Sequence, residues 1–218
     1  MVKGGQQAYP LRPAPRLYLV APCLEQPTRL VEVLDGSLEA ADVAAVLLQL
    51  PETSEEALVT YVRAIAPVVQ GRDIALLLHG HPEIVAQAGA DGAHLTGIEA
   101  FTAAAPMLKP ERIAGAGGLS TRHDAMLTGE RGADYLMFGE PSPRRDALDA
   151  IVERVAWWSE LFELPCVAWA EDLDELAALA DAGADFVALG EFVFSDFRRT
   201  PTMIRAAAER LPAREAVK

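Results

Sequence analysis

Cysteine is nearly absent. Cys23 and Cys166 are the only two in 218 residues, far apart and without the spacing of a metal-ligand set. That excludes a disulfide framework and points to free or buried thiols in a reducing compartment. Positive charge is also scarce: 19 Lys and Arg stand against 32 Asp and Glu, a formal net charge of −13. Such an acidic chain is a poor candidate for holding nucleic acid or an anionic membrane by bulk electrostatics, and the charge reads as a solubilising surface. No run of the sequence approaches the ~18 apolar residues of a membrane span. Met1 to Arg16 carries Gly4, Gly5, Pro10, Pro13 and Pro15 but no apolar core of a secretion signal. It reads as a loose arm, 1–16, ahead of a single domain, 17–218, in a cytoplasmic protein.

What is present is apolar and repetitive. Hydrophobic residues make up 51% of the chain and charged residues 23%, ample for a sizeable core. One phrase occurs three times: Gly89-Ala90-Asp91, Gly132-Ala133-Asp134 and Gly183-Ala184-Asp185, each behind a helical pattern and ahead of a short apolar strand. The intervals are too long for one βα unit and about right for two, so the phrase marks alternate units of a repeating β/α chain.

Taken in order, the apolar runs give strands at 17–22, 43–50, 73–78, 92–95, 112–118, 135–139, 165–170 and 186–190. Helical spacing lies between them, at 28–40, 54–69, 83–88, 99–108, 121–131, 147–162, 173–182 and 202–211. Continuously apolar strands fit a parallel sheet buried on both faces, and eight units favour a closed (β/α)₈ TIM barrel with brief loops. Trp157 and Trp158 are adjacent and cannot share a helix face, which makes Trp157 either a subunit contact in a homodimer or a plain surface aromatic.

In such a barrel the working face is the carboxyl end of the strands. The residues there are Glu25; Gln49 and Glu52; His79 and His81; His94 and Glu99; Gly117, Gly118 and Ser120; Glu140, Ser142 and Arg144; Glu171 and Asp172; and Glu191. His79-Gly80-His81 is either part of a metal site with a nearby carboxylate or a polar turn ahead of Pro82. His94 is either a site residue or a hydrogen-bonded structural histidine. Gly115, Gly117 and Gly118 either let backbone approach a phosphate, with Ser120 and Thr121 capping the helix behind, or fit a crowded barrel interior.

With its strands placed, the chain resembles the thiamin phosphate synthase and thiazole tautomerase (TenI-like) superfamily over 17–211. The resemblance rests on Leu17-Tyr18-Leu19-Val20, Ala90-Asp91-Gly92-Ala93-His94-Leu95, Gly132-Ala133-Asp134-Tyr135 with Gly139 and Pro141, and Gly183-Ala184-Asp185-Phe186-Val187-Ala188. It implies a role in thiamin biosynthesis: joining a pyrimidine methyl diphosphate to a thiazole phosphate with release of pyrophosphate and Mg²⁺ assistance. By the same resemblance, Gln49 matches the glutamine of the family's Gln-x-Arg-x-Lys, whereas Pro51 and Thr53 replace its arginine and lysine. His79-Gly80 stands for an Asn-Asp pair, Glu99 for the magnesium aspartate, and Ser120 for the serine after the fifth strand. Ser142-Pro143-Arg144-Arg145 aligns with Thr-x-Thr-Lys, so Arg144 and Arg145 take the place of the lysine. The phosphate-binding Gly-Gly and Ser-Ala read Ala170-Glu171 and Gly190-Glu191, and carboxylates there repel a phosphate rather than hold it.

The tautomerase branch places a catalytic histidine after the sixth-strand glycine, where this chain has Glu140. A glutamate in a partly apolar mouth serves as an acid–base group when its pKa is raised; beside Pro141 it is equally a surface glutamate. Three readings follow. The first is a synthase- or tautomerase-like transferase that takes a small-molecule ligand at the mouth. The second is a barrel that has lost catalysis and acts as a binding or regulatory module. The third is a divergent metal-dependent enzyme using Glu52, Glu140, Glu171 and Glu191 with His79.

Overall fold

The structure, a computed structural model, describes residues 13–141 and 146–212. Its strands are β1 (Arg16–Ala21), β2 (Val43–Leu48), β3 (Ala75–His79), β4 (Gly92–Thr96), β5 (Ile113–Gly117), β6 (Tyr135–Phe138), β7 (Cys166–Ala170) and β8 (Phe186–Leu189). All neighbours pair in parallel, and β8 pairs with β1, so the sheet closes in sequence order as the eight-fold alternation predicts. Among the described residues no helix is long and apolar enough to cross a membrane.

Alternation along each strand separates two cores. Leu17, Leu19, Val46, Leu48, Leu76, Leu78, Leu136, Val187 and Leu189 face outward into the layer beneath the helices. Tyr18, Val20, Leu47, Leu77, Tyr135, Met137, Val167 and Trp169 fill the barrel. The helices close the outer layer with their apolar faces. In α2 (Glu55–Gln70), capped by the Ser54 hydroxyl, these residues are Leu58, Val62, Ile65 and Val69. In α6 (Leu148–Leu161) they are Ile151, Val155 and Trp158, while Trp157 is half-buried beneath the Arg122 guanidinium.

The repeated Gly-Ala-Asp phrase has one physical job in all three places. Its glycine takes positive φ (76°, 90° and 95°), the left-handed backbone that ends a helix. Its aspartate then reaches to the preceding strand. Asp91, Asp134 and Asp185 accept the backbone N–H of Leu76 (2.7 Å), Ala114 (2.7 Å) and Cys166 (2.9 Å). Each returns its own N–H to the carbonyl of that same residue. The phrase therefore stitches β3 to β4, β5 to β6 and β7 to β8 at the amino-terminal rim.

Two helical expectations change. The first helix, α1 (Pro27–Asp35), stops at Gly36 rather than running to Ala40, because Gly36 and Ser37 turn back on the carbonyls of Glu32 and Leu34. After β8 an additional turn, α8 (Glu191–Phe194), buries Val193 and Phe194 before the last helix, α9 (Thr200–Ala208). At four residues it is too short for its periodicity to stand out in the sequence.

Candidate functional site

A cavity of about 540 Å³ opens at the carboxyl end of the strands. Its floor is the top of the interior core, Val20, Leu47, Met137 and Trp169. Its polar wall is Gln49, His79, Thr96, Ser120, Glu140, Asp146 and Arg154. Five of the residues singled out from the sequence thus share one space: Gln49, His79, Gly118, Ser120 and Glu140.

The others lie apart from it. Gly117 sits beneath Glu140, and Gly190 abuts the Trp169 ring. Glu99, in the first turn of α4 (Ile98–Leu108), is outside the cavity lining but lines, with Asp124, a recess that adjoins it and shares Thr96, Gly118, Leu119 and Ser120 with it. Glu171 and Glu191 are exposed and outside the cavity lining, and the Glu171 backbone N–H donates to Glu175 (2.8 Å). Arg144 and Arg145 lie outside the described residues.

Glu140 is the best-anchored polar group of the cavity. Gly139 (φ +85°) turns the chain after β6 and folds Glu140 back over the end of β5. There Gly117 leaves room for it, because a Cβ at that position would overlap the carboxylate. The Gly118 backbone N–H donates to Glu140 Oε2, and Oε1 lies 2.8 Å from His94 Nε2. The side chain of Glu140 is 17% exposed, so the carboxylate is held from below and reached from above. The Gly118 amide, a phosphate-approach candidate in the sequence, is here committed to an internal carboxylate.

Beneath Glu140 the contacts continue inward. His94 points into the barrel while Ala93 and Leu95 on either side face the helices. Its Nδ1 is 3.0 Å from the Tyr135 hydroxyl, which is 2.8 Å from the Tyr18 hydroxyl. Gly115 makes this possible, since a Cβ there would collide with the Tyr135 ring. Burial pushes both phenols far above the ordinary tyrosine value, so both hydroxyls keep their protons. At the rim, His79 Nε2 lies 3.2 Å from the Thr96 hydroxyl. Burial, reinforced by His94, lowers the His79 imidazole, with Glu140 opposing.

Sequence reasoning identified Glu140 and offered His94 as a site or structural histidine, but not their connection or its continuation through Tyr135 and Tyr18, nor the Arg154–Asp146 pair (2.7 Å) on the cavity wall. The glycines of β5 were the available signal: each makes room for a particular side chain of β6 or its exit. Arg154 gave none, because on a helix it reads like any charged surface position.

The donor set does not fit a resident metal. Among the described residues no group of three His, Cys, Asp or Glu side chains is placed to hold an ion. His79 faces Thr96, and His81 is engaged with Glu83 (3.0 Å). Glu99 offers a single exposed carboxylate.

Fold and cavity define a class: a closed (β/α)₈ barrel with a carboxylate–histidine pair at the floor of its carboxyl-end pocket. Within that class the chain belongs to the thiamine monophosphate synthase (TMP-TENI) family, whose model matches residues 17–198. It is 37% identical over 179 residues to a thiamine-phosphate synthase of Rhodospirillum centenum, covering 80% of this chain and 86% of that protein. It is 32% identical over 206 residues to one from Hyphomonas neptunium, with coverage of 89% and 93%. A thiamine phosphate pyrophosphorylase from Pyrococcus furiosus superposes with a TM-score of 0.73 at 19% identity, over 89% of this chain and 94% of that one. A 3-hexulose-6-phosphate synthase from Salmonella typhimurium superposes at 0.69 with 14% identity, over 89% and 97%. At these identities the superpositions speak for the shared barrel alone.

Proposed function

We propose that this protein processes a thiazole or pyrimidine precursor of thiamin in the 540 Å³ cavity, with Glu140 as its acid–base group. The observation that carries the reading is the placement of Glu140, fixed by His94 and the Gly118 amide with one face open to the cavity. A positioned carboxylate of this kind moves a proton to or from a bound ring and contributes roughly 10²–10⁴-fold to rate. The apolar floor of Val20, Leu47, Met137 and Trp169 suits a flat heteroaromatic ring. Gln49, Ser120 and Thr96 supply neutral hydrogen bonds at its edges. Family membership and the relatives' names support the thiamin assignment.

A phosphate on the ligand finds one guanidinium in the described wall, Arg154, already paired with Asp146. Arg144 and Arg145 are proposed, on sequence alone, to add positive charge at the sixth loop. Magnesium enters this reading only together with a phosphorylated ligand, with Glu99 as its one protein carboxylate. No step is derived through it.

A second reading, a non-catalytic binding module, draws on Pro51 and Thr53 where the family has arginine and lysine, and on Glu171 and Glu191 at its phosphate loops. One experiment separates the two. Purified protein is assayed for pyrophosphate release from the pyrimidine methyl diphosphate and thiazole phosphate, and for isomerisation of the thiazole carboxylate phosphate. Turnover in either assay that is lost in Glu140→Gln supports the proposal. A folded protein that binds these ligands in a thermal shift but turns none over supports the module.

A further inference from the structure

The column Tyr18, Tyr135, His94 and Glu140 runs from the barrel centre to the cavity floor, and its hydrogens can be counted. Tyr18 and Tyr135 are 2% and 6% exposed, and His94 is fully buried. Two hydrogen bonds link the Tyr18 hydroxyl, the Tyr135 hydroxyl and His94 Nδ1. Each phenol brings one hydrogen, and neither hydroxyl has a further partner among the described residues. If Nδ1 is bare, Tyr18 donates to Tyr135, Tyr135 donates to Nδ1, and both hydrogens are used. If Nδ1 carries a hydrogen, three hydrogens compete for two bonds and one phenolic O–H is stranded in the barrel interior. A buried donor without an acceptor is unfavourable, so the bare form is selected.

We infer that Tyr135, backed by Tyr18, is a positioning residue that locks His94 as the Nε2–H tautomer, which in turn presents Glu140 to the cavity as a hydrogen-bond-accepting carboxylate. With Nε2–H facing it at 2.8 Å, Oε1 accepts, and the carboxylate is set to take a proton rather than give one. In the opposite tautomer a lone pair on Nε2 faces a lone pair on Oε1, and the contact holds only if Glu140 is itself protonated. This device rests on the reading of Glu140 as the working group, although the tautomer is measurable without any substrate.

The test is a two-bond ¹H–¹⁵N correlation spectrum of the ¹⁵N-labelled full-length protein at neutral pH. It distinguishes a protonated ring nitrogen from a bare one. Four histidines contribute, and single His79→Gln, His81→Gln and His123→Gln variants leave His94 by elimination. The expected wild-type spectrum has Nε2 protonated and Nδ1 bare at His94. Protonation at Nδ1, in a neutral or a charged ring, overturns the inference. Tyr135→Phe removes the donor to Nδ1, so the ¹⁵N resonance of that bare nitrogen is expected to move away from its hydrogen-bonded position even though Glu140 still accepts from Nε2–H, whereas Tyr18→Phe leaves it in place, since Tyr135 still donates. A Tyr135→Phe spectrum identical to wild type at His94 also overturns it. The wild-type spectrum decides even if a variant fails to fold, and absent turnover leaves this result standing while counting against the function.

Discussion

Two glycines in β5 carry more of the site than their size suggests. Gly115 and Gly117 face the barrel interior on either side of Ala116, and the space that a side chain would take is filled by Tyr135 and Glu140 respectively. Gly115→Ala forces the buried Tyr135 ring off its place against His94, an overpacking that costs about 1–3 kcal/mol. Gly117→Ala meets the end of a side chain that has cavity beside it. Chemical denaturation should therefore show Gly115→Ala clearly destabilised and Gly117→Ala much less so. Equal losses in the two variants would contradict the assignment of their neighbours. These glycines were visible in the sequence as a small-residue strand. What they make room for was not, because the partners lie about 20 residues on, across a loop and a helix.

His79 gives the site a pH signature. Its imidazole lies below the usual value of 6.5 in the folded protein, through burial first and His94 second. The unfolded chain therefore binds more protons at this position than the folded one, so stability from this group rises with pH and levels off above about 6.5. Acidification from about pH 7 to about pH 5 should lower the melting temperature of wild type more than that of His79→Gln. Parallel curves for the two proteins would contradict it.

At the scale of elements, the repeated Gly-Ala-Asp shows why periodicity was so informative. The glycine ends a helix and the aspartate fastens the next strand to the previous one, so phrase and pairing recur together at β3–β4, β5–β6 and β7–β8. Asp185→Ala leaves the Cys166 N–H without its carboxylate, far from the cavity. A hydrogen bond to a charged group contributes roughly 1.5–3 kcal/mol, and a loss of that order is expected with ligand binding unchanged. Stability within a few tenths of wild type would mean that the repeat has no such role. Strand number and order were legible because each apolar run is continuous and each break carries Gly, Pro or Asp, whereas a continuous run does not say which residues face the barrel interior. Element ends were less so: α1 stops five residues early at Gly36, and α8 emerges from packing of Val193 and Phe194 that no local pattern announces.

For the whole molecule, the acidic composition takes on a different meaning once the barrel is closed. Glu52, Glu171 and Glu191 are exposed and lie off the cavity wall, so they do not form the acidic ring that the sequence suggested with Glu140 and His79. Among the described residues, Glu140 and the Arg154-paired Asp146 are the carboxylates of the cavity wall, and Glu140 is the one with a buried polar column under it and the apolar floor beside it. On the proposed reading, that arrangement serves proton transfer on a bound ring. Glu140 was singled out because it follows a strand-end glycine, at the position where the tautomerase branch that the chain resembles has its histidine, both local features. Its support by His94, Tyr135 and Tyr18 draws on β1, β4 and β6 and exists only after closure.

The most direct test of this account is the turnover of Glu140→Gln beside wild type, in the two precursor assays, with both proteins checked by circular dichroism and thermal melting. Glutamine keeps the shape and its one oxygen can still accept from His94 Nε2–H, with the Gly118 N–H bond given up, but it cannot take a proton. The account predicts a folded variant whose kcat falls about 10²–10⁴-fold with little change in ligand affinity. A Glu140→Gln protein that turns over at the wild-type rate would contradict it and move the chemistry elsewhere in the cavity.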